Sequence, residues 1–394
     1  MGLLRNLPTR LSYIELTLNH LITMDQEPDN RIRICFMNSN MVWGGGEKWH
    51  YKTACHFRDM GYAVMVITNR NSELHHKLRD HEGILLESVR ISNLSFLNPF
   101  KILYVRMLLK KQNISSIILG LPIDLKVGGL AAKIAGLKNI IYRRGAAIPI
   151  TDSFFNRFLF RSILTNVITN SREIRNQIFH NNPQIINESK VHIIYNGVDP
   201  ELWSRRDAIR EADKNDKCLI LGNAGRLVEQ KGQKYLIRIA KQLKEKQVDF
   251  KLYIAGSGKL ENELKLECVE NKLEKELIFL GFVENMQDFL SGLDIYLSTS
   301  IHEGSSNVII EAMAAGKPVI AFDVSSMPEL IEDNKTGYLI PFADTQLFTE
   351  KIVFLKNNRT ELDTFAANAR KQVHKKFDAG KNFQQIIEII KKTQ

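Results

Sequence analysis

Short apolar runs alternate with helical stretches from residue 31 to about 200, and after a charged gap the same alternation begins again. In the first series strands are expected at 31–37, 63–68, 83–89, 115–119, 139–143, 165–169 and 191–195. A helix is expected at 48–60 and helical stretches between the later strands. The second series starts with a strand at 218–223, followed by a helix at 231–245, a strand at 250–255 and a helix at 260–271. A strand at 277–280, a helix at 286–290 and a strand at 295–298 come next. The strand 319–322, the helix 326–331 and a terminal helical region close the series. Continuous apolar strands separated by helices suit a parallel sheet covered on both faces. With 394 residues the chain can fill two such cores. The expectation is α/β: two Rossmann-like, doubly wound domains facing each other across a cleft, with ligands at the carboxyl ends of the strands.

The boundaries follow from composition. Residues 1–30 carry Leu4, Leu7, Leu11, Ile14, Leu18 and Leu21 at helical spacing and read as an extension, appended, poorly ordered or lying on a membrane. Residues 31–200 form the first domain and 201–375 the second, with 205–217 as the linker. Residues 376–394 form a C-terminal helix that could pack back on the first domain. Cys35, Cys55, Cys218 and Cys268 are scattered, as in a reduced cytoplasmic protein. Neither a membrane-spanning run nor a signal peptide is evident. The net charge of +10 resides in the first half, where 25 Lys and Arg face 15 Asp and Glu. No nucleic-acid-binding motif accompanies it. A basic face then leaves anionic lipid, an acidic acceptor or a plain basic surface.

Glu303 and Glu311 carry the chemistry. Ser305, Ser306 and Asn307 open an apolar helix whose first backbone N–H groups are unpaired, a site for phosphate. Flanking carboxylates suit a phosphate ester whose neighbouring groups bear hydroxyls. Arg226 and Lys231, in a glycine turn after the strand at 218–223, add two cations, enough for a diphosphate. Neither a D-x-D metal motif nor a nucleoside triphosphatase loop is found, and no cofactor or metal is expected. Gly256-Ser257-Gly258 matches a dinucleotide fingerprint only in part.

From about residue 31 onward the chain resembles the retaining GT-B glycosyltransferases of the glycosyltransferase group 1 family. The resemblance lies in Glu303-Gly304 with Glu311-Ala312-Met313-Ala314 (an E-x7-E motif), Gly316-Lys317-Pro318-Val319, and Gly225-Arg226 with Lys231-Gly232. Gly44–Glu47, Asn196–Asp199, Pro328-Glu329-Leu330 and Gly337-Tyr338-Leu339 support it. The resemblance implies that Arg226 and Lys231 bind the donor diphosphate, Glu303 the sugar hydroxyls and Glu311 the ribose. Ser305, Ser306, Asn307 and Val308 would cap the distal phosphate, Gly45 and Gly46 would let the first domain approach it, and Phe282 and Val283 would flank the base. It implies front-face attack, with the leaving diphosphate taking the acceptor proton and Glu303 positioning rather than attacking. Members often carry a histidine after a strand of the first domain. Here Arg143-Arg144-Gly145 stands there, and Arg144 is expected to touch an acidic group of the substrate, a phosphate or a surface carboxylate.

The expected function is metal-independent transfer of a UDP-hexose-type sugar to a glycan or glycolipid acceptor of cell-surface polysaccharide or lipopolysaccharide. The expected location is cytoplasmic, with peripheral contact to an anionic membrane through the basic amphipathic segment Pro99–Lys111 left open against a helix simply packed on the first sheet. The rivals are a nucleotide-sugar epimerase, a phosphorylase, and a membrane-bound scaffold without turnover.

Overall fold

The computed structural model describes residues 32–203 and 218–393; the expected extension at 1–30 and linker at 205–217 lie outside them. In the first half β1 (Arg33–Asn38), β2 (Ala63–Thr68), β3 (Ile84–Ser88), β4 (Ser116–Leu119), β5 (Asn139–Arg144), β6 (Asn166–Thr169) and β7 (Val191–Ile193) form one sheet, ordered β3-β2-β1-β4-β5-β6-β7. In the second half β8 (Leu219–Ala224), β9 (Phe250–Ala255), β10 (Leu277–Gly281), β11 (Ile295–Ser298), β12 (Val319–Phe322) and β13 (Gly337–Ile340) are ordered β10-β9-β8-β11-β12-β13. Every pairing is parallel.

Alternate strand residues feed the two faces of each sheet. In β1, Cys35 and Met37 pack with the helix Pro99–Lys111, whereas Ile34 and Phe36 pack with Phe57 of the helix Gly45–Asp59. Both faces are thus buried, which is why these strands read as apolar runs. The strand order reverses between β1 and β4 and again between β8 and β11. At such switch points the chain leaves in opposite directions and a crevice opens beyond the carboxyl ends. The turn after β1, the turn after β8 and the loop after β11 hold the candidate residues.

Three elements differ from expectation. The first helix begins at Gly45: Gly44 is an extended N-cap, and Lys48 N–H donates to the Gly44 carbonyl at 2.9 Å, so the glycines form the first turn. The helix expected from 231 begins at Gln233, because Gly232 takes a left-handed φ of +62° with the Thr299 carbonyl against it, where a Cβ would clash. The strand β13 was hidden within a region expected to be helical; four residues show no period.

The C-terminal helix Ala379–Lys392 leaves the second domain and buries Ile386, Ile387 and Ile390 beside Ile34 and Ile141 of the first. Such burial contributes about 2 kcal/mol per isoleucine. Asn139 Nδ2 donates to the Ile390 carbonyl (2.9 Å) and Asn382 Nδ2 to the Tyr195 carbonyl (3.0 Å). Among the described residues no helix is long and apolar enough to cross a membrane, and all four cysteines are free.

Candidate active site

Two helices, one from each domain, begin at the same place. The helix Asn307–Ala314 is capped by Ser306 with no side-chain bond to its first N–H groups. Gly45, at the start of the helix Gly45–Asp59, lies against it: a Cβ there would stand 3.6 Å from Asn307 Nδ2. The positive ends of both helices therefore converge. Asn196, just beyond β7, ties them to the first sheet by donating to Asn307 Oδ1 at 2.7 Å.

Lys231 joins them from the turn after β8. The Ile301 N–H donates to the Gln230 carbonyl (2.9 Å) and Thr299 Oγ1 to the Lys231 carbonyl (3.3 Å), pinning this turn against the loop after β11. Lys231 Nζ is thereby held on Glu303 Oε1, which also accepts from Ser300 Oγ at 2.9 Å. The Glu303 backbone is fixed too, with Ser326 Oγ donating to its carbonyl at 2.9 Å. Glu303 is a buried carboxylate with one cation and one hydroxyl already in place. Arg226 is exposed in the same turn. Beside it Gly256, at φ +131°, packs on the Gly225 carbonyl, and Leu227 N–H donates to Ser257 (3.0 Å). Gly256-Ser257 thus supports the Arg226 turn.

Glu311 lies one turn into its helix, buried, and accepts from Lys48 Nζ of the first domain at 2.8 Å. Phe282, 80% exposed, and the half-buried Val283 follow β10, two strands from β8, where the Gly256 N–H donates to the Gly281 carbonyl at 2.6 Å. Ser305 Oγ is buried without a partner.

The two arginines ending β5 point to opposite faces. Arg144 donates from Nη2 to the Ile148 carbonyl and keeps a buried Nε without a partner. Arg143 lies over Trp49 (4.9 Å to the ring centre) and donates from Nη2 to Asn196 Oδ1 at 3.1 Å. Burial lowers its pKa to about 10, against the opposing field of Glu47.

Under the first glycine turn sit two more titratable groups. Asp124 accepts from the Ser39 (3.3 Å) and Leu121 (3.0 Å) N–H groups; burial raises its pKa to about 7, against those hydrogen bonds. His50 donates from Nδ1 to the Gly46 carbonyl (3.0 Å), and burial lowers its pKa to about 3. Among the described residues no three His, Cys, Asp or Glu side chains are grouped to hold a metal ion.

The structure therefore gathers Gly45, Gly46, Lys231, Glu303, Asn307 and Glu311 into one cleft, with Arg226 and Phe282 at its edges. Sequence reasoning missed Lys48, Ser300 and Asn196 as members. Lys48 stands two residues after the glycine run, and Asn196 lies in a quoted match, but their partners are more than a hundred residues away.

Residues 43–202 match the model of Glycosyltransferase Family 4, and residues 204–372 that of Glycosyl transferases group 1. The poly(ribitol-phosphate) alpha-N-acetylglucosaminyltransferase of Staphylococcus aureus is 32% identical over 40% of this chain and 32% of its own length. The UDP-Gal:alpha-D-GlcNAc-diphosphoundecaprenol alpha-1,3-galactosyltransferase of Escherichia coli is 25% identical over 67% of this chain and 71% of its own. The chain spans from about a third to a half of the length of the first relatives it matches. In fold it is similar to Anabaena HepE solved with UDP-glucose: TM-score 0.77, 23% identity, 92% of this chain and 100% of that one.

Proposed function

We infer that this chain, which carries the two domains of a group 1 glycosyltransferase, moves a hexose-type sugar from a nucleoside diphosphate, UDP in our reading, to a saccharide acceptor of a cell-surface polysaccharide or lipopolysaccharide. The observation that carries this reading is the meeting of two helix N-termini from opposite domains beside Lys231. Backbone N–H groups, two helix dipoles and a lysine form a site for a diphosphate, and Arg226 at the mouth adds a further charge. These groups balance the diphosphate without calling on a metal.

In this reading Glu311 accepts the ribose hydroxyls and Ser305 to Val308 cap the distal phosphate, with Phe282 and Val283 beside the base. Glu303, already engaged by Lys231 and Ser300, positions the sugar rather than attacking it. The acceptor oxygen bonds to the anomeric carbon on the face from which the diphosphate departs. The carbon–phosphate-oxygen bond breaks, and the acceptor proton passes to the departing phosphate oxygen, so configuration is retained. Lys231 and the helix ends stabilise the charge that builds on the leaving group. The UDP assignment draws on the HepE complex and on the donor of the Escherichia coli relative, whose acceptor is also lipid-linked. A lipid-linked acceptor would bring the enzyme to the membrane, and we assign that contact to the helix Pro99–Lys111.

The test is release of free UDP from UDP-hexoses by the full chain, with and without glycolipid extract. Acceptor-dependent release that Lys231→Ala abolishes supports transfer. Interconversion of the donor sugar without acceptor would support the epimerase. Turnover unchanged in Lys231→Ala would overturn this site.

A further inference from the structure

Arg143 has more hydrogen-bonding capacity than the protein uses. A guanidinium carries five N–H donors, yet Arg143 makes one hydrogen bond, to Asn196 Oδ1, while its plane rests on Trp49. It is 5% exposed. Glu47 is the carboxylate whose field it feels, and that carboxylate already accepts from Asn38 Nδ2 at 3.3 Å. Among the described residues no carboxylate stands within ion-pair distance of Arg143. A buried cation left in this state is costly unless an anion completes it.

Its position says which anion. Nη1 lies against Gly145 and 3.8 Å from where a Cβ on Gly46 would stand. The Gly145 carbonyl would be 3.2 Å from a Cβ on Gly304, the residue after Glu303. Through Asn196 the guanidinium is linked to Asn307. Arg143 thus stands where the glycine turn, the end of β5 and the 303–307 loop come together, between the helix ends and the residue after Glu303. The diphosphate has Lys231, Arg226 and two helix N-termini. A hydroxyl would accept from one N–H group and bring no charge; a carboxylate accepts in two places and supplies the contacting counter-ion that Glu47, outside ion-pair distance, does not.

We propose that Arg143 recognises a carboxylate on the transferred sugar, so that the donor is a nucleoside-diphosphate hexuronate. This rests on the donor reading above and names the class of sugar. Arg144, held on the Ile148 carbonyl on the opposite face of β5, does not take part in this contact.

Calorimetric titration of the full chain with UDP, UDP-glucose, UDP-glucuronate, UDP-galactose and UDP-galacturonate tests it, in wild type, Arg143→Gln and Arg143→Lys. The expected result is binding of one uronate donor about tenfold or more tighter than its neutral counterpart. Arg143→Gln removes that gap with UDP affinity unchanged, and Arg143→Lys restores part of it. A uronate preference absent in wild type, or persisting in Arg143→Gln, overturns the proposal. So does an equal loss for UDP and UDP-uronate, which would assign Arg143 to phosphate. Wild type that fails to bind UDP at all overturns the donor reading itself, whereas intact UDP binding without the preference overturns only this step.

Discussion

Lys48 Nζ stands 2.8 Å from Glu311 Oε1, joining the first domain's glycine turn to the carboxylate assigned to the ribose. A lysine thus engages the same acceptor that the ribose diol would use. The carboxylate is buried and the lysine 37% exposed, so the pair is screened on one side and contributes about 1 kcal/mol. Lys48→Met should therefore lower the melting temperature slightly but enlarge the stabilisation by saturating UDP, because Glu311 no longer exchanges a cation for the ribose. Thermal melts with and without UDP measure both. A smaller UDP-induced shift in Lys48→Met would mean that Lys48 binds the nucleotide instead.

The Lys231–Glu303 pair is more deeply buried, and removing one partner leaves an uncompensated charge. Lys231→Ala and Glu303→Gln should differ accordingly. The first loses both diphosphate stabilisation and the counter-ion of Glu303, so activity and stability fall together. The second keeps the shape and leaves unpaired the more exposed partner, Lys231 (19% against 8%), which water in the cleft can reach, so its stability should fall less. Its kcat should fall by about 10²–10³, the scale of losing one electrostatic stabiliser of a transition state, with KM changing much less. Steady-state kinetics alongside melts separates the two. Normal turnover in Glu303→Gln would remove Glu303 from the reaction.

The two-domain architecture and the cleft motifs could be read from the chain because each depends on local signals. Apolar runs make buried parallel strands, and Ser306-Asn307 before an apolar stretch opens a helix. Elements whose definition is non-local were not legible. The start at Gly45 requires knowing that Gly44 is extended, and the place of Gln233 requires the Thr299 carbonyl against Gly232. The orientation of Arg143 and Arg144 depends on the phase of β5, which a buried strand with apolar residues on both faces does not reveal. Lys48 and Asn196 act across the cleft, on partners that only the closed pair of domains supplies.

Asp124 and His50, both under the glycine turn, give stability opposite slopes with pH. Asp124 has its folded pKa raised from 3.8 to about 7, so its contribution is complete below about 3.8 and is lost as pH rises through 7. His50 has its folded pKa lowered from 6.5 to about 3, so its contribution is present above 6.5 and lost as pH falls toward 3. Asp124→Asn keeps an oxygen for the Ser39 and Leu121 N–H groups and removes only the first slope. Relative to wild type it should gain stability steadily from about pH 4 to 7 and level off above that. Melting temperatures across that range decide it, and a constant difference would mean that Asp124 does not titrate there.

The helix Pro99–Lys111 sets Phe100, Leu103, Tyr104 and Met107 in the solvent at intervals of three and four, one apolar stripe, with Val105, Leu108 and Leu109 on the buried side. Exposed Leu94 and Leu97 precede it, and exposed Lys110 and Lys111 end it. Between residues 91 and 163 eleven Lys and Arg face only Asp124 and Asp152. Apolar side chains entering the headgroup boundary contribute about 1.5–3 kcal/mol each when fully buried, and each nearby lysine about 1 kcal/mol on anionic lipid. Phe100→Glu with Met107→Glu should therefore abolish co-sedimentation with phosphatidylglycerol vesicles. Because both side chains already face water, the melting temperature should stay within about 2 °C, as for surface substitutions generally. Turnover on a soluble acceptor fragment should be preserved, while turnover on a vesicle-borne acceptor falls. If the double variant sediments with vesicles as wild type does, the stripe is not the membrane contact.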